Sequence, residues 1–457
     1  MITVGMISLG CAKNLVDSEV MLGLLAQAGF RITPRRDEAD VLVVNTCGFI
    51  REAKEEAIEA ILEAAREKES GRCRALVVAG CLAQRYREEL KREIPEIDAV
   101  LGTGEVGRIA DLVKQLLGRG ANGGTGGAGG GTVNDEEEAP PGFLYGSGVP
   151  RIRSTPPYTA YLKIAEGCDN RCSYCVIPYL RGPYRSRPLE VVLEEAESLA
   201  AQGVKELILV AQDTTLYGMD LYGRPRLPEL LARLAAVRDL RWIRVLYTYP
   251  ARITGELAEV MAGEPKVCRY LDLPFQHGSD RILRAMNRRG SRDEAMRLVE
   301  NLRARLPGLA IRTSFIVGFP GEEEGDFQQL LDFMEKARFD HAGVFLYSRE
   351  EGTPAGYRSD QVPEKLKCSR YRRAMRVQRR ISREINRSLV GSRMEVLVEE
   401  IRGRGLVGRG PRHAPGVDGV VYLTNGRAVP GDFVSARLTG ATDYDLRGEV
   451  DVSQRQE

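Results

Sequence analysis

The 457-residue sequence contains only three histidines, His277, His341 and His413, so a site built on several imidazole groups is excluded. Its 66 Lys and Arg nearly balance its 64 Asp and Glu, and a net charge of +2 argues against wholesale coating of nucleic acid. No segment approaches the roughly 20 apolar residues that a membrane span requires. The first residues, MITVGMISLG, lack the basic segment and cleavage pattern of a secretory signal. These absences predict a cytoplasmic protein with reduced thiols and no membrane association.

The pattern of apolar residues predicts an α/β protein with three domains. Over residues 1–118, short apolar runs alternate with amphipathic helical segments, which is typical of a doubly wound parallel sheet. Residues 119–150 are rich in Gly and acidic residues and cannot form a core, so they are predicted to be an interdomain linker. The β/α alternation resumes over 151–385 with about six units, which predicts a partial, TIM-like β/α barrel. Short strands separated by Gly turns over 386–457 predict a small antiparallel β-barrel.

Three of the nine cysteines lie in one short segment, Cys168-Asp-Asn-Arg-Cys172-Ser-Tyr-Cys175. The segment follows the first predicted strand of the β/α barrel. Three thiolates in one loop can hold three corners of a 4Fe-4S cluster and leave the fourth iron open to a ligand that is not protein. A structural zinc site would need a fourth Cys or His, and the neighbouring sequence has none. The spacing therefore favours a cluster with an open iron.

Three further cysteines, Cys11, Cys47 and Cys81, each follow a different predicted strand of the N-terminal sheet. The carboxyl ends of parallel strands meet at one edge of a sheet, so these thiols are predicted to converge there. The alternative is chance placement, because a free cysteine is commonly a small core residue. A second three-thiolate cluster site is the prediction. Cys73, Cys268 and Cys368 share no such pattern and are interpreted as structural.

The segment with an aromatic residue before its last cysteine resembles the radical S-adenosylmethionine (SAM) superfamily. The resemblance implies that the open iron chelates SAM and that electron transfer releases a 5′-deoxyadenosyl radical. It also implies that Tyr174 packs beside the adenine. The SAM-binding residues expected from this resemblance are Tyr174, Gln212, Gly318, Phe319, Pro320 and Gly321. The last four form a Gly-Pro turn, and an ordinary turn is the alternative interpretation.

Nearly the whole chain resembles the methylthiotransferase family of radical SAM enzymes, which has an N-terminal three-cysteine domain, a radical SAM barrel and a C-terminal TRAM-type barrel. The segments GCAKNLVDSE at 10–19 and QDT at 212–214 are similar to the RimO branch, which modifies a ribosomal protein. The tRNA-modifying branch typically has Gln-Met-Asn after the first cysteine and Gln-Asn-Val at the second place. Ala12 departs from the branch, which usually has proline there, and the linker is longer and richer in Gly than expected.

The resemblance implies that a methylthio group is added to the β-carbon of an aspartate in the twelfth protein of the small ribosomal subunit. Two 4Fe-4S clusters, SAM and an electron donor such as flavodoxin or ferredoxin are implied with it. One SAM would methylate sulfur carried on the N-terminal cluster, and a second would supply the radical that abstracts hydrogen. Two alternatives stay open: a tRNA adenosine methylthiotransferase, and a non-catalytic iron–sulfur protein that binds RNA or transfers electrons.

A helix rich in arginine is predicted over residues 364–393. It carries Arg370, Arg372, Arg373, Arg376, Arg379, Arg380, Arg383 and Arg387. Arginine suits phosphate geometry, so the helix is a candidate for RNA contact. The alternative is a solvated face that pairs with acidic neighbours. From residue 394 onward the chain has eight basic and ten acidic residues, which favours a basic protein over tRNA as the substrate.

Overall fold

A computed structural model describes residues 1–119 and 141–451 of the chain. Most of the predicted linker, residues 120–140, lies outside the described residues, as do residues 452–457. Within the described ranges, no helix is both long enough and apolar enough to cross a membrane.

The N-terminal region is a five-stranded parallel sheet in the order β2-β1-β3-β4-β5. Its strands are β1 (Thr3–Ser8), β2 (Arg31–Thr33), β3 (Val41–Thr46), β4 (Ala75–Gly80) and β5 (Ala99–Leu101), and its helices are α1 (Ala12–Gln27), α2 (Arg51–Ser70), α3 (Cys81–Arg85), α4 (Arg87–Glu93) and α5 (Ile109–Arg119). Every residue of β3 and β4 is buried, because helices cover both faces of the sheet. The doubly wound sheet expected from the sequence is confirmed.

The central region is a six-stranded parallel sheet in the order β13-β12-β11-β10-β9-β6, with β6 and β13 at the two open edges. Its strands are β6 (Thr159–Lys163), β9 (Glu206–Val210), β10 (Trp242–Val245), β11 (Val267–Asp272), β12 (Ala310–Val317) and β13 (His341–Leu346), and a short hairpin pairs β7 (Ala165–Glu166) with β8 (Arg185–Ser186). Its helices are α6 (Ile177–Arg181), α7 (Leu189–Ala201), α8 (Met219–Tyr222), α9 (Leu227–Ala235), α10 (Gly255–Gly263), α11 (Asp280–Ala285), α12 (Arg292–Arg305), α13 (Glu324–Ala337) and α14 (Glu364–Ser388). The open sheet confirms the partial β/α barrel.

The C-terminal region is a closed five-stranded barrel in the order β14-β15-β16-β18-β17. Its strands are β14 (Arg393–Arg402), β15 (Gly405–Arg409), β16 (Val421–Thr424), β17 (Phe433–Ala441) and β18 (Leu446–Val450). The small antiparallel barrel is confirmed, with one parallel pair between β16 and β18. The arginine-rich helix α14 ends at Ser388, five residues before the predicted end, because Gly391 adopts a positive φ of 91° and β14 begins at Arg393.

Buried ion pairs fix the C-terminal barrel against the central sheet. Glu206 lies between Arg409 of the C-terminal barrel, at 2.6 Å, and Arg244 of the central sheet, at 3.0 Å, and all three side chains are almost completely buried. The hydroxyl of Tyr270 donates to Asp418 at 2.7 Å. Residues 409–418 therefore seal one end of the central sheet.

Candidate active site

The N-terminal cysteines lie at the carboxyl ends of three adjacent strands, as the sequence predicts. Cys11 follows β1, Cys47 follows β3 and Cys81 follows β4, and β3 pairs with both of its neighbours in parallel. All three thiols are within electrostatic range of one guanidinium, that of Arg181. The sheet therefore brings the three sulfur atoms together around a buried positive charge.

Glycines beside these cysteines make the close approach possible. Gly10 has a φ of 88°, and a Cβ placed on it would lie 2.7 Å from the Cβ of Cys47. Gly80 has a φ of 94°, and its Cβ would lie 2.3 Å from the side-chain oxygen of Asn45. Only glycine fits both the backbone conformation and the space at these two positions.

The three N-terminal thiols differ in their electrostatic surroundings. Burial, with the neighbouring Cys81 thiol, raises the pKa of Cys47 to about 12, and burial also raises the pKa of Cys81. At Cys11 burial acts in the same direction, but the positive charges of Lys13 and Arg181 outweigh it and lower the pKa below its ordinary value. Cys47 and Cys81 are therefore neutral thiols at pH 7 until a metal centre replaces their protons.

The second set of cysteines lies in the loop between β7 and α6. Gly167, with a φ of 86°, begins the loop, and a Cβ there would lie 2.0 Å from the carbonyl oxygen of Pro183. The loop is closed by backbone hydrogen bonds from Cys168 to Gly182, at 3.1 Å, and from Cys175 to Cys172, at 3.0 Å. Burial raises the pKa of the Cys168 thiol to about 11. The local backbone thus holds the three thiols close together in one loop at the carboxyl end of the barrel.

Side chains from neighbouring loops hold this cysteine loop in place. Asn170, between the first two cysteines, donates to Asp213 at 2.9 Å and accepts from Arg252 at 2.6 Å. Arg252 also pairs with Asp213. On the other side, the guanidinium of Arg288 lies 3.8 Å from the sulfur of Cys172. The loop is therefore braced by charged groups of β/α loops remote in sequence.

The residues expected to bind SAM come from separate parts of the chain, and one hydrophobic cluster brings two of these parts together. Tyr174 packs against the hydrophobic cluster that contains Phe319 and Tyr347. The turn at 318–321 is braced by Glu322, whose carboxylate accepts from the backbone nitrogen of Gly318 at 2.8 Å and pairs with Arg370 at 3.0 Å. This bracing gives the turn a fixed shape next to the cysteine loop.

Gln212 lies just beyond the carboxyl end of β9, as expected, and only one of the two polar atoms of its side chain is hydrogen-bonded. Its amide nitrogen donates to Glu166, while its buried carbonyl oxygen has no hydrogen-bond partner. A buried acceptor without a partner is costly, so this oxygen fits the N–H or O–H donor of a bound molecule.

The two sets of cysteines face each other across a short helix. Cys81 shares one small hydrophobic cluster with Val176, the residue after Cys175, and with Leu180 of α6. Arg181, at the end of α6, reaches the N-terminal region and donates to Asp17 at 2.6 Å. Helix α6 therefore lies between the two cysteine sets and contacts the N-terminal region through Leu180 and Arg181.

A buried network of charges joins the two regions behind the cysteines. Arg181 also donates to Glu166 at 3.2 Å and to Asn14 at 3.1 Å, and Lys163 pairs with both Asp17 and Glu166. Lys163 and Arg181 outweigh the effect of burial on Glu166 and lower its pKa to about 2. Because these charges are removed from water and depend on partners in both regions, they fix how the N-terminal region sits on the barrel.

The donor set fits iron–sulfur clusters better than single ions. In residues 1–119 and 141–451, no group of three or more His, Cys, Asp or Glu side chains is arranged to hold a metal ion alone. A cubane cluster spreads its thiolate ligands farther apart, because each thiolate binds a different iron atom. Three thiols without a fourth Cys or His in either set match a cluster with one open iron, whereas structural zinc takes four protein ligands.

Sequence reasoning missed the charged residues around the two sites, above all Lys13, Arg181, Asp213 and Arg288. Lys13 and Asp213 lie inside segments that the sequence singles out, at 10–19 and 212–214, so their motif position was a usable signal. Arg181 lies six residues after Cys175, yet its partners Asn14 and Asp17 are in another domain. No local pattern reveals such contacts.

The arginine-rich helix α14 is largely neutralised by acidic neighbours, the second of its two interpretations. Five of its eight arginines pair with carboxylates: Arg370 with Glu322, Arg373 with Glu324, Arg379 and Arg383 with Asp443, and Arg380 with Glu335. Arg372 and Arg376 are exposed and form no ion pair with any residue that the structure describes. The helix therefore serves mainly to connect the central barrel with the C-terminal barrel.

Three protein-family models match three successive parts of the chain. Residues 3–102 match the uncharacterized protein family UPF0004, residues 162–334 match the Radical SAM superfamily, and residues 390–450 match the TRAM domain. The radical SAM match implies an iron–sulfur cluster and SAM. Among solved structures, the radical SAM methyltransferase TsrM from Kitasatospora setae shares the fold, with a TM-score of 0.55 and 21% identity over 78% of this chain and 77% of that chain.

Curated relatives match the chain over almost its full length. A protein of Pelotomaculum thermopropionicum is 57% identical, covering 98% of this chain and 99% of the relative. A protein of Desulforudis audaxviator is 54% identical, covering 98% of this chain and 96% of the relative. Both are named ribosomal protein uS12 methylthiotransferase RimO. With this identity across the three-cysteine region, the barrel and the TRAM domain, the chain belongs to the RimO family of radical SAM methylthiotransferases.

Proposed function

We propose that this enzyme adds a methylthio group to the β-carbon of an aspartate in ribosomal protein uS12. The observation that carries the proposal is the hydrophobic cluster that Cys81 shares with Val176 and Leu180, which packs the N-terminal cysteine region against the end of the barrel cysteine loop. A reaction that joins sulfur to a carbon activated by a radical needs both sites within reach of one substrate atom. The names of the full-length relatives supply the substrate.

Six cysteines would hold two 4Fe-4S clusters. The barrel set is Cys168, Cys172 and Cys175, and the N-terminal set is Cys11, Cys47 and Cys81. When bound, the barrel cluster supplies reductive cleavage of SAM to a 5′-deoxyadenosyl radical, and the N-terminal cluster supplies sulfur. Each set has three thiols, so each leaves one iron for a ligand that is not protein.

The chain's own residues would bind SAM and orient it. The half-buried ring of Tyr174, which packs on the cluster that contains the buried Phe319, offers an apolar face that suits an adenine ring. The unpartnered oxygen of Gln212 would accept a hydrogen bond from SAM, and the rigid turn Gly318–Gly321 would contact its adenosine. Asp213 holds the loop through Asn170, so that the thiols keep their positions while substrate binds.

A β-carbon next to a carboxylate is not acidic enough for ordinary base catalysis, which is why a radical is required. The protein's contribution is to align this carbon with the radical and the sulfur and to keep water out. Buried residues line the junction between the N-terminal domain and the barrel and serve this purpose, among them Asn14 and Asp17 of the former and Leu180 and Arg181 of the latter.

We further propose three working domains, 1–118, 151–385 and 386–457, joined by the linker 119–150, and an electron donor such as flavodoxin or ferredoxin. The cytoplasm is the expected location, because the substrate is a ribosomal protein. The TRAM domain gives the enzyme a means of contact with RNA near its protein substrate.

A second candidate, tRNA adenosine methylthiotransferase, is favoured by one surface feature. Arg376, Arg379, Arg380, Arg383 and Arg387 line a shallow groove on α14 beside the TRAM domain. Such a groove could contact RNA phosphates. Glu335 and Asp443 already neutralise three of these arginines, which weakens this candidate against the first.

The test offers both substrates to one enzyme. The protein is reconstituted without oxygen, its iron and sulfide are quantified, and it is incubated with SAM, a reductant, uS12 and bulk tRNA. We expect about eight irons per chain, 5′-deoxyadenosine, and a methylthio group on one uS12 aspartate by mass spectrometry. Modified tRNA with unmodified uS12 would overturn the proposal in favour of the second candidate. Absence of 5′-deoxyadenosine from the fully loaded protein would favour a non-catalytic iron–sulfur protein.

A further inference from the structure

Lys13 is a buried cation without an anionic carboxylate partner. The residue is 8% exposed, and its ammonium nitrogen lies 3.2 Å from the centre of the Tyr247 ring. The thiol of Cys11, the guanidinium of Arg181 and the carboxyl of Asp272 also lie within electrostatic range of it. Within the described residues, Lys13 forms no ion pair with Asp or Glu. Burying an ammonium in this way is costly unless something else at the site compensates it.

The other buried cations of the junction are already compensated. Lys163 and Arg181 face Asp17 and Glu166, so this network has two positive and two negative charges. An additional anion placed there would find no free cation. Lys13, which forms no ion pair within the described residues, is therefore the cation of the junction that stays open to a further anion.

On the barrel side of the junction, the cation Arg312 also has carboxylate partners. Arg312 lies 3.6 Å from Asp272 and 3.4 Å from Asp418, so this group has one positive and two negative charges and likewise offers no free cation. Asp272 in addition accepts from the backbone nitrogen of Tyr247 at 3.0 Å.

Lys13 belongs to the N-terminal domain and lies on the side of that domain that faces the mouth of the barrel. It lies in the first turn of α1, two residues after Cys11, and the adjacent Ala12 packs against the interior cluster of the central sheet. Tyr247 follows β10 with a φ of 58°, a left-handed conformation that costs energy for a residue with a side chain. This strained backbone holds the ring under the ammonium of Lys13.

We propose that Lys13 binds the carboxylate of the substrate aspartate and makes the site specific for an acidic side chain. The inference rests on the proposed function, because an aspartate β-carbon at the junction carries its carboxylate on the next atom. That carboxylate leaves water and approaches two thiolate-bound clusters, so it requires a cation. An ammonium that supplies this hydrogen bond also fixes the rotation of the side chain and thereby which β-hydrogen faces the radical.

The competing role for Lys13 is to balance the charge of the N-terminal cluster through Cys11. The two roles predict different affinities for a substrate with aspartate and a substrate with asparagine at the target position. A group that binds the carboxylate distinguishes aspartate from asparagine in the substrate, whereas a group that supports the cluster affects both substrates equally.

The test is a double-mutant cycle on binding, which needs no turnover. Reconstituted wild-type and K13M enzymes are compared for affinity to uS12 and to uS12 with its target Asp changed to Asn, by biolayer interferometry without oxygen. Wild type is expected to bind the Asn form about 10–100-fold more weakly, the range for a hydrogen bond to a charged group. K13M is expected to bind both forms with equal affinity, and K13R to restore part of the discrimination.

K54M is the matched control, because Lys54 lies at the same domain interface but pairs with Glu350 at 2.8 Å. It should discriminate Asp from Asn as wild type does. If K13M still discriminates as wild type does, or if it loses cluster iron and K13Q with full iron discriminates normally, the carboxylate contact is overturned. If wild type modifies tRNA and neither binds nor modifies uS12, the proposed function itself fails, and the Lys13 contact with it.

Discussion

The N-terminal cysteines are spread over residues 11–81 and come from the ends of three strands, whereas the barrel cysteines lie in one loop, 168–175. Both sets provide three thiols, but the first exists only when β1, β3 and β4 are paired. The second is shaped by its own backbone hydrogen bonds, such as that from Cys175 to Cys172. One site therefore depends on tertiary structure and the other mainly on local sequence.

The difference extends to the charges around each site. The N-terminal thiols share Arg181, which is contributed by the barrel, so their electrostatic surroundings depend on domain docking. The barrel loop takes Asp213, Arg252 and Arg288 from its own domain. A lesion at the N-terminal site should therefore leave the barrel site working, whereas loss of the barrel site removes the radical on which the whole reaction depends.

The largest effect is expected for Cys172→Ala. Loss of one of three thiolates removes the barrel cluster, so SAM cleavage and methylthiolation should both fall to background. The measurement is 5′-deoxyadenosine by liquid chromatography, with iron content alongside. Cys368→Ala is the control, since Cys368 on α14 lies outside both sets, and it should keep both activities. SAM cleavage at the wild-type rate in Cys172→Ala would show that this loop does not hold the radical-generating cluster.

Cys47→Ala is expected to separate the two activities. It should lose methylthiolation and about half of the iron, because one of two four-iron clusters is missing. SAM cleavage should persist, since the barrel loop does not use Cys47. The check is to measure 5′-deoxyadenosine and modified uS12 in the same reaction. Complete loss of SAM cleavage, with the barrel cluster still present by electron paramagnetic resonance, would contradict this division of labour.

The sequence is sufficient to predict the fold and the location of both cysteine sets, for a physical reason. Runs such as VLVVNT and ALVVAG are buried on both faces, and such runs predict parallel strands whose ends share an edge. Cys47 and Cys81 were placed by this rule rather than by spacing. Their role as cluster ligands stays a prediction.

The charged framework of the site could not be predicted, because its contacts link distant segments. Arg181 and Asp17 are 164 residues apart in sequence, and Arg383 reaches Asp443 across 60 residues. Propensity and periodicity describe neighbours within one element, and neither specifies which domain supplies a counter-ion. For the same reason the sequence leaves both interpretations of α14 open, and its carboxylate partners favour the solvated face that pairs with acidic neighbours.

A smaller effect, confined to the N-terminal site, is expected for Gly10→Ala. The new Cβ would lie 2.7 Å from that of Cys47, so the thiol must shift, and the positive φ adds about 1–2 kcal/mol of backbone strain. Methylthiolation and N-terminal iron should fall in part, while SAM cleavage stays unchanged. Electron paramagnetic resonance of the two clusters measures this directly.

Gly29→Ala separates the strain from the contact, because Gly29 has nearly the same φ, 92°, but no atom within 4 Å of a new Cβ. Both variants should lose similar thermal stability from the backbone, and only Gly10→Ala should also lose N-terminal iron. Equal loss of iron in the two variants would mean that general destabilisation of the N-terminal sheet, rather than displacement of Cys47, weakens the site. In that case the site would depend on the stability of its domain as a whole, and the contrast with the locally built barrel loop would be stronger still.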